Sequence, residues 1–480
     1  MKAERVHNDA RGAPPCPLME APPPLLVQLL GGNVVTTASV LACLNTADAT
    51  ALRRLHPALA VAVAEVPWAD TTTAVCDADR WRAALPAAVA VRLAVVALLP
   101  LGRALTALGG VTELNLAACD RGTDGVISRL PPTLRILDVS KCKHVTYRAN
   151  FTHLAALEWL DCSTTYAVAA GLARLPPSLQ DLRMQGCEIP DTADFSRLCN
   201  LRVVVYAAVH HPFSATTVAS LPPSLETLVI DYNNVFLTNW DRAAFKWPPG
   251  WSLAHLTRLR LLRAEHNRIH DEAIATLPAS LQVLKLGGRD KVKLLSGVSF
   301  ARLACLHTLS LRYAPISAPL LASLPPSLVS LDLHRCEELT PDAVFPHLPA
   351  LHALTVNHTG IGDAAIASMP AGLRSLSMVG CHQVTQRARL GHLAALRVLQ
   401  CVGTALSRAT IASCRARGCF APADGKLLAR NITSLALLPD GRLVSGAHDG
   451  RVALLEPTAE RDSVVVAELK LPGPGSRVHA

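Results

Sequence analysis

The sequence predicts an α/β solenoid. Short parallel strands, one per tandem repeat, build a single sheet, and the return segments cover its inner side. Three observations carry this. Thirteen copies of the pattern L-x-x-L-x-L-x-x-N/C run from Val111 to Thr404, with first positions 22 to 25 residues apart except for one interval of 34. A period in that range marks stacked supersecondary units. Within a copy, apolar residues stand two apart, as at Leu228 and Ile230 or Leu331 and Leu333, and so share one face of a strand. Half of the 480 residues are hydrophobic but only 4% are aromatic, which prescribes an aliphatic core of Leu, Ala and Val.

Taken in order, residues 1–22 are rich in Pro, Ala and charge and are expected to be disordered. Residues 23–76 form a helical segment: Leu25, Leu26, Leu29 and Leu30 cluster, Val40, Leu41 and Leu44 follow, then Leu52, Leu55, Leu59 and Val63 lead to Val66-Pro67-Trp68. Residues 77–110, with Trp81 and a dense Ala/Val/Leu run, read as the N-terminal cap, Leu85 to Leu108 supplying a helix and a strand.

Residues 111–420 hold the repeats and a closing helical turn over Ala405 to Phe420. Their first positions are Val111, Leu134, Leu157, Leu179, Leu201, Leu225, Leu259, Leu281, Leu306, Leu328, Leu351, Leu373 and Leu396. One copy cannot bury both of its sides, so each leans on the next. The ninth position is Cys at 119, 142, 187, 336 and 381, Asn at 233 and 267, and Thr at 165, 359 and 404. Such a side chain can hydrogen-bond the turn that leaves the strand. Val209, Arg289 and Ala314 cannot do so in the same way, which predicts local irregularity there.

A second periodicity overlies the first. Entry through Leu-Pro, as in Leu324-Pro-Pro-Ser-Leu328, alternates with entry through Phe345-Pro-His-Leu348-Pro-Ala-Leu351, so the true unit is a pair of about 45 residues. Proline after the apolar run ends a helical turn and enforces extension. Thr340-Pro341-Asp342 reads as an N-cap and first turn. The long interval places extra residues within Asn234 to Ser252, carrying Phe236, Trp240, Phe245, Trp247 and Trp251. Large aromatics are costly to leave in water, so some of these should be buried and others should extend a binding face.

Residues 430–480 change character. Ile432 to Glu456 reads as three strands with turns at Pro439-Asp440-Gly441 and His448-Asp449-Gly450, and Val464 to Leu469 as a fourth.

These motifs resemble known families. The repeats are similar to leucine-rich repeats of the cysteine-containing type, which implies a horseshoe with the parallel sheet on its concave face. Residues 23–76 resemble an F-box: an opening Pro-Leu-Leu, a central L-x-x-L before an acidic residue, a second L-x-x-L and a closing Trp. That likeness implies a substrate-recognition adaptor of a cullin-type ubiquitin ligase, holding the ligase's small linker protein. The alternatives are a helical cap that shields the first repeat, and a scaffold with no ligase link. The tail resembles one blade of a WD-repeat propeller, with Leu455-Glu456 where the family has Trp-Asp and Ser445 and Asp449 where the blade's hydrogen-bonding pair is expected. One blade cannot close a propeller. Arg477-Val-His-Ala480 resembles the entry to another, so the sequence reads as an incomplete part of a longer chain; the alternative is a hairpin sheet packed on the last repeats.

No signature of catalysis emerges: there is no G-x-S-x-G, P-loop, H-E-x-x-H or paired C-x-x-C. No cofactor or metal site is expected, and the chain does not read as an enzyme. The charges, +9 in sum, are interspersed and form no basic run, which argues against nucleic acid as partner. No segment makes a spanning helix, and membrane association is not expected. Of the 14 cysteines at least five occupy the ninth position, pointing inward as reduced thiols, which implies a cytoplasmic or nuclear protein. Function is then expected on the strand face opposite the core leucines, at the third, fifth, seventh and eighth positions. Copies six to eleven place Tyr232, Arg263, His266, Lys285, Arg312, Tyr313, His334, Arg335 and His358 there, joined by Trp240 and Trp247 of the insertion. Tyr and Arg are enriched at interface hot spots.

Overall fold

The computed structural model describes residues 44–55, 57–94, 106–119, 121–169, 172–208, 213–232, 251–265, 271–287, 298–345 and 347–421, and strands within 432–470. The expected disordered N-terminus, the Leu25–Leu30 cluster, most of the aromatic insertion, His266, the turns of the tail and residues 471–480 lie outside the described residues. Two compact units divide the chain, Met1–Glu113 and Leu114–Ala480.

Among the described residues of the first unit, helix α1 comes first, Thr46–Leu52, where the Asn45 side chain accepts the Asp48 N–H. Helix α2, Pro57–Glu65, starts on a proline whose missing N–H costs nothing there. Leu59 and Val63 lie one turn apart and are buried, as is Trp68, whose indole N–H donates to the Val63 carbonyl at 2.8 Å. Strand β1, Ala69–Val75, pairs in parallel with β2, Ala90–Leu93, around a bulge between Asp70 and Ala74. Burial pushes the Asp70 carboxyl up, yet hydrogen bonds from Thr72, Thr46 and Thr73 outweigh it and hold the group well below the carboxylate range. Helix α3, Ala78–Ala84, comes earlier than the composition suggested, since Leu85 is its C-cap. Arg82 on α3 donates to the carbonyls of Pro86, Ala88, Ala107 and Gly109, tying the loops of this unit together.

The second unit is a parallel β-solenoid of the leucine-rich-repeat type. Each copy contributes one strand, starting at its third position: β3 Glu113–Asn115, β4 Ile136–Asp138, β5 Trp159–Asp161, β6 Asp181–Arg183, β7 Val203–Ala208, β8 Thr227–Tyr232, β9 Leu261–Glu265, β10 Val283–Gly287, β11 Thr308–Arg312, β12 Ser330–Asp332, β13 Ala353–Thr355, β14 Ser375–Ser377 and β15 Val398–Gln400. They lie in one sheet in chain order. Fourth positions face one another across the ladder, as in Leu137↔Leu160, Leu284↔Leu309, Leu331↔Leu354 and Leu376↔Leu399. The long interval does not break the register, because Leu228 of β8 pairs with Leu262 of β9.

The two-copy unit is visible in the return segments. Helices α4 Asp124–Ile127, α5 Ala215–Ala219, α6 Asp271–Ala275, α7 Ala318–Ala322, α8 Asp363–Ala367 and α9 Arg408–Ala416 all belong to odd-numbered copies. Serines cap three of them: the hydroxyls of Ser214, Ser317 and Ser407 accept the N–H of Thr217, Leu320 and Thr410. Leu-Pro then ends the turn and leads into the even copy. Among the described residues even copies return without helix, and Thr340-Pro341 caps nothing and forms only a turn. Their buried anchor is an aromatic ladder of Phe151, Phe195, Phe300 and Phe345. Trp251 stands at the same place in copy six, is 4% exposed and donates its indole N–H to the Phe213 carbonyl at 3.1 Å. It is a rung of the core, as expected for some of the aromatics in the long interval.

The tail is a four-stranded antiparallel sheet of β16 Ile432–Leu437, β17 Leu443–Ala447, β18 Arg451–Glu456 and β19 Val464–Lys470, in chain order. The four strands fall where turn chemistry and alternation put them.

Candidate interaction surface

The surface is set by how each copy leaves its strand. The backbone at the eighth position is left-handed wherever that turn is described outside the longer strands: Ala118 (φ 59°), Lys141 (62°), Thr164 (56°), Gly186 (68°), Tyr313 (61°), Arg335 (57°), His358 (55°), Gly380 (70°) and Gly403 (76°). Glycine suits this conformation, and other residues occupy it at a cost. The turn aims the ninth side chain inward, where it works between copies. The thiols of Cys142, Cys187, Cys336 and Cys381 donate to the sixth-position carbonyls of the preceding copy, at Leu116, Cys162, Leu311 and Val356, over 2.9 to 3.1 Å. Threonines instead reach the sixth carbonyl of their own copy: Thr165 to Cys162, Thr359 to Val356, Thr404 to Cys401. Ala314 shows no irregularity, contrary to expectation. Its N–H bonds Leu311 as at the cysteine copies, and Cys336 of the next copy supplies the side-chain donor to the same carbonyl. Val209, Arg289, Asn233 and Asn267 lie outside the described residues.

The fifth position fixes the other half of the turn. Carboxylates or amides of Asn115, Asp138, Asp161 and Asp332 accept the N–H two residues on. Third, fifth and seventh residues alternate with the core leucines, as β9 shows, where Leu262 and Ala264 are buried and Arg263 is exposed. Strand β5 departs from this: Trp159 and Asp161 are buried too, with the Arg183 guanidinium lying 5.2 Å over the Trp159 ring.

Five of the expected site residues come together in copies nine to eleven. The Tyr313 and His334 rings meet edge to face at 5.6 Å, and the His334 and His358 rings at 5.7 Å. The Arg335 guanidinium lies 5.8 Å over Tyr313. Arg312 donates through Nε to Asp332 Oδ2 at 2.6 Å. Burial, then the positive charge of Arg312, push the His334 imidazole down to about 4, Asp332 opposing. Burial and the Arg335 charge lower His358 as well.

Arg263 belongs to a separate group: it bridges Asp231 at 2.9 Å and Glu265 at 3.0 Å. Burial pushes the Asp231 carboxyl up to about 6 despite Arg263. Lys285 sits between the two groups, opposite Arg263 on one side and Ser310 on the other. The backbone of Tyr232 ends β8, while His266, Trp240 and Trp247 lie outside the described residues.

Sequence reasoning missed Asp332 as a member of this surface. The signal was an acidic fifth position one copy after a basic seventh: the register sets Asp332 opposite Ser310, two residues before Arg312 and within reach of its long side chain. It also missed the left-handed eighth position, although glycine at 186, 380 and 403 marks it. Among the described residues no group of His, Cys, Asp and Glu is arranged to hold a metal, and no helix is long and apolar enough to cross a membrane.

No protein-family model matches the sequence, and comparison with curated proteins gives no match. Solved structures share the repeat backbone. An internalin (inlF) from Listeria monocytogenes is 17% identical with a TM-score of 0.43, over 58% of this chain and 77% of that one. A leucine-rich-repeat protein of Leptospira interrogans is 14% identical with a TM-score of 0.48, over 75% and 96%. TLR13, solved in complex with ssRNA13, is 17% identical with a TM-score of 0.41, over 78% and 56%. At such distances no residue role is carried across.

Proposed function

We propose that this chain is a protein-interaction scaffold without catalytic activity, which receives a partner on the exposed sheet face of copies six to eleven. The observation that supports this most is the run Tyr313, Arg335, His358 at consecutive eighth positions, each left-handed. Copies twelve and thirteen place glycine there, at Gly380 and Gly403, with no side chain to offer. Ala118, Lys141 and Thr164 bear the same backbone cost in copies one to three, so the support lies in the aromatic, guanidinium and imidazole groups that copies nine to eleven place in succession. Residues held this way, on rigid strands, are preorganised for recognition.

A photo-crosslinker tests this in the full chain. Tyr313 and Val344, the latter 53% exposed on a return segment, are each replaced by p-benzoylphenylalanine. The expected result is capture of a protein from position 313 and not from 344. Capture from neither, or equally from both, removes the reading.

A second reading rests on the first unit. Leu55 and Val61 are 71% and 60% exposed, which is unusual for large apolar side chains around short helices. They support a second interface, in line with an adaptor holding the linker protein of a cullin-type ligase. Replacing both by Glu in the full chain should abolish co-purification of that linker protein; unchanged co-purification, or none with the unaltered chain, ends this reading. The four-stranded tail supports a further binding module, one blade of a WD-repeat-like propeller. The work of the ninth-position cysteines as S–H donors supports a reducing compartment, cytoplasmic or nuclear.

A further inference from the structure

Charge is unevenly placed along the exposed face. Copies two to seven carry Asp138, Asp161, Asp181, Asp231 and Glu265 against Lys141, Arg183 and Arg263. From copy eight onward the same positions carry Lys285, Arg312 and Arg335, with Asp332 as the sole acid. The three cations belong to successive copies, Lys285 on β10, Arg312 at the end of β11 and Arg335 just after β12. Gly287 of β10 is paired with Arg312 of β11. It has φ 156°, and a Cβ there would lie 2.8 Å from the Arg312 backbone. Gly287 is buried and the Arg312 backbone fills the space a side chain would take, so β10 and β11 pack closely here, with Lys285 on one strand and Arg312 on the next. Tyr313 follows directly, with Arg335 over its ring. The result is a cationic border around a half-buried aromatic group.

We infer that this face, around Lys285, Arg312, Tyr313 and Arg335, binds an extended acidic segment of a protein partner, deepening the interaction reading on which it rests. Carboxylates of the segment meet the Arg335 and Lys285 cations, and its neighbouring side chains lie on Tyr313 and His358. Arg335 is the principal contact, because Arg312 already serves Asp332 while Arg335 is exposed. A planar guanidinium held over a ring loses little freedom on taking a carboxylate. A nucleic-acid strand fits less well. Stacked bases need open ring faces, whereas Tyr313 and His334 meet edge to face and Arg335 covers Tyr313. A phosphate backbone also needs more unpaired cations than these.

The test uses the full chain and four fluorescent probes: short peptides of alternating Glu and Ser, Gln and Ser, or Lys and Ser, and oligo-uridine of matching length. Anisotropy should show the Glu peptide binding at least about tenfold more tightly than the Gln peptide. Lys285→Glu with Arg335→Glu should remove that preference. Arg121→Glu with Arg129→Glu, an equal charge change on exposed residues of copy one, should keep it. Circular dichroism checks that both variants fold, and if the Lys285/Arg335 variant does not, Lys285→Gln with Arg335→Gln replaces it with the same expectation. Equal binding of Glu and Gln peptides, equal loss in both variants, or tighter binding of oligo-uridine overturns the inference. The photo-crosslink at Tyr313 separates the two failures. A protein captured there through a segment without acidic residues leaves the interaction reading standing and removes this one; no capture removes both.

Discussion

The Cys381 thiol donates to the Val356 carbonyl, 2.9 Å away and one copy earlier. Thr359, in the same copy as Val356, donates to that carbonyl at 2.7 Å. One buried oxygen thus gathers a donor from each of two copies and rivets them. Alanine at Cys381 should cost about 1–2 kcal/mol, from a lost bond and a small cavity. Thr359→Val should cost a similar amount. The double variant should lose about 1 kcal/mol more than the sum, because it strips both side-chain donors from Val356. Strict additivity in denaturant titrations would show that the two donors do not share their acceptor.

Leu331 is 1% exposed and lies between Leu309 and Leu354 in the ladder. Leu331→Ala should therefore destabilise by about 2–5 kcal/mol. By sequence alone its neighbour Asp332 is a dispensable surface residue. It instead accepts the His334 N–H and pairs with Arg312, at side-chain exposures of 22% and 30%. Asp332→Ala should cost about 1 kcal/mol, and Asp332→Asn less, since the amide keeps the turn bond. Equal effects of Ala at 331 and 332 would invert the assigned faces.

Gly380 lies under His358. A methyl group added there would fall on the His358 ring, and φ is +70°. Gly380→Ala should lower stability by about 1–2 kcal/mol through the left-handed backbone. It should also displace the imidazole from His334, visible as changed ring proton shifts at both histidines. Unshifted rings would mean that the His358 side chain does not rest on Gly380.

His334 supplies a pH dependence whose sign follows from burial. Its folded-state value, about 4, lies below the ordinary value of 6.5. As pH falls through 6.5 the unfolded chain takes up the proton first, so this contribution to stability is complete above 6.5 and lost progressively down to about 4. The groups facing it are Arg312, Asp332, Arg335 and His358. His334→Gln should flatten the decline in unfolding free energy across that window. A variant with the same slope as the unaltered chain would show His334 protonating normally when folded.

Much of this architecture was legible in the residues. The repeat length, the inward leucines, the two-copy unit and the four-stranded tail all follow from period, alternation and proline placement. Those are local rules, written within one copy. The inward ninth-position cysteines were legible too, but not their partners, because each acceptor lies in the preceding copy, more than twenty residues back. The same reason explains Arg312 with Asp332 and the Tyr313–His334–His358 rings: no sequence window contains both members, and only parallel in-register stacking makes them neighbours. That some aromatic of the long interval is buried was legible, but not that it is Trp251, since the position it fills is defined by the phenylalanines two and four copies away. The sequence by itself thus determined which face of each strand meets the leucine core, though not that β5 is buried on both. Which exposed residues act together was decided only when the copies stacked, because adjacency on the sheet is set by register between strands and not by distance along the chain.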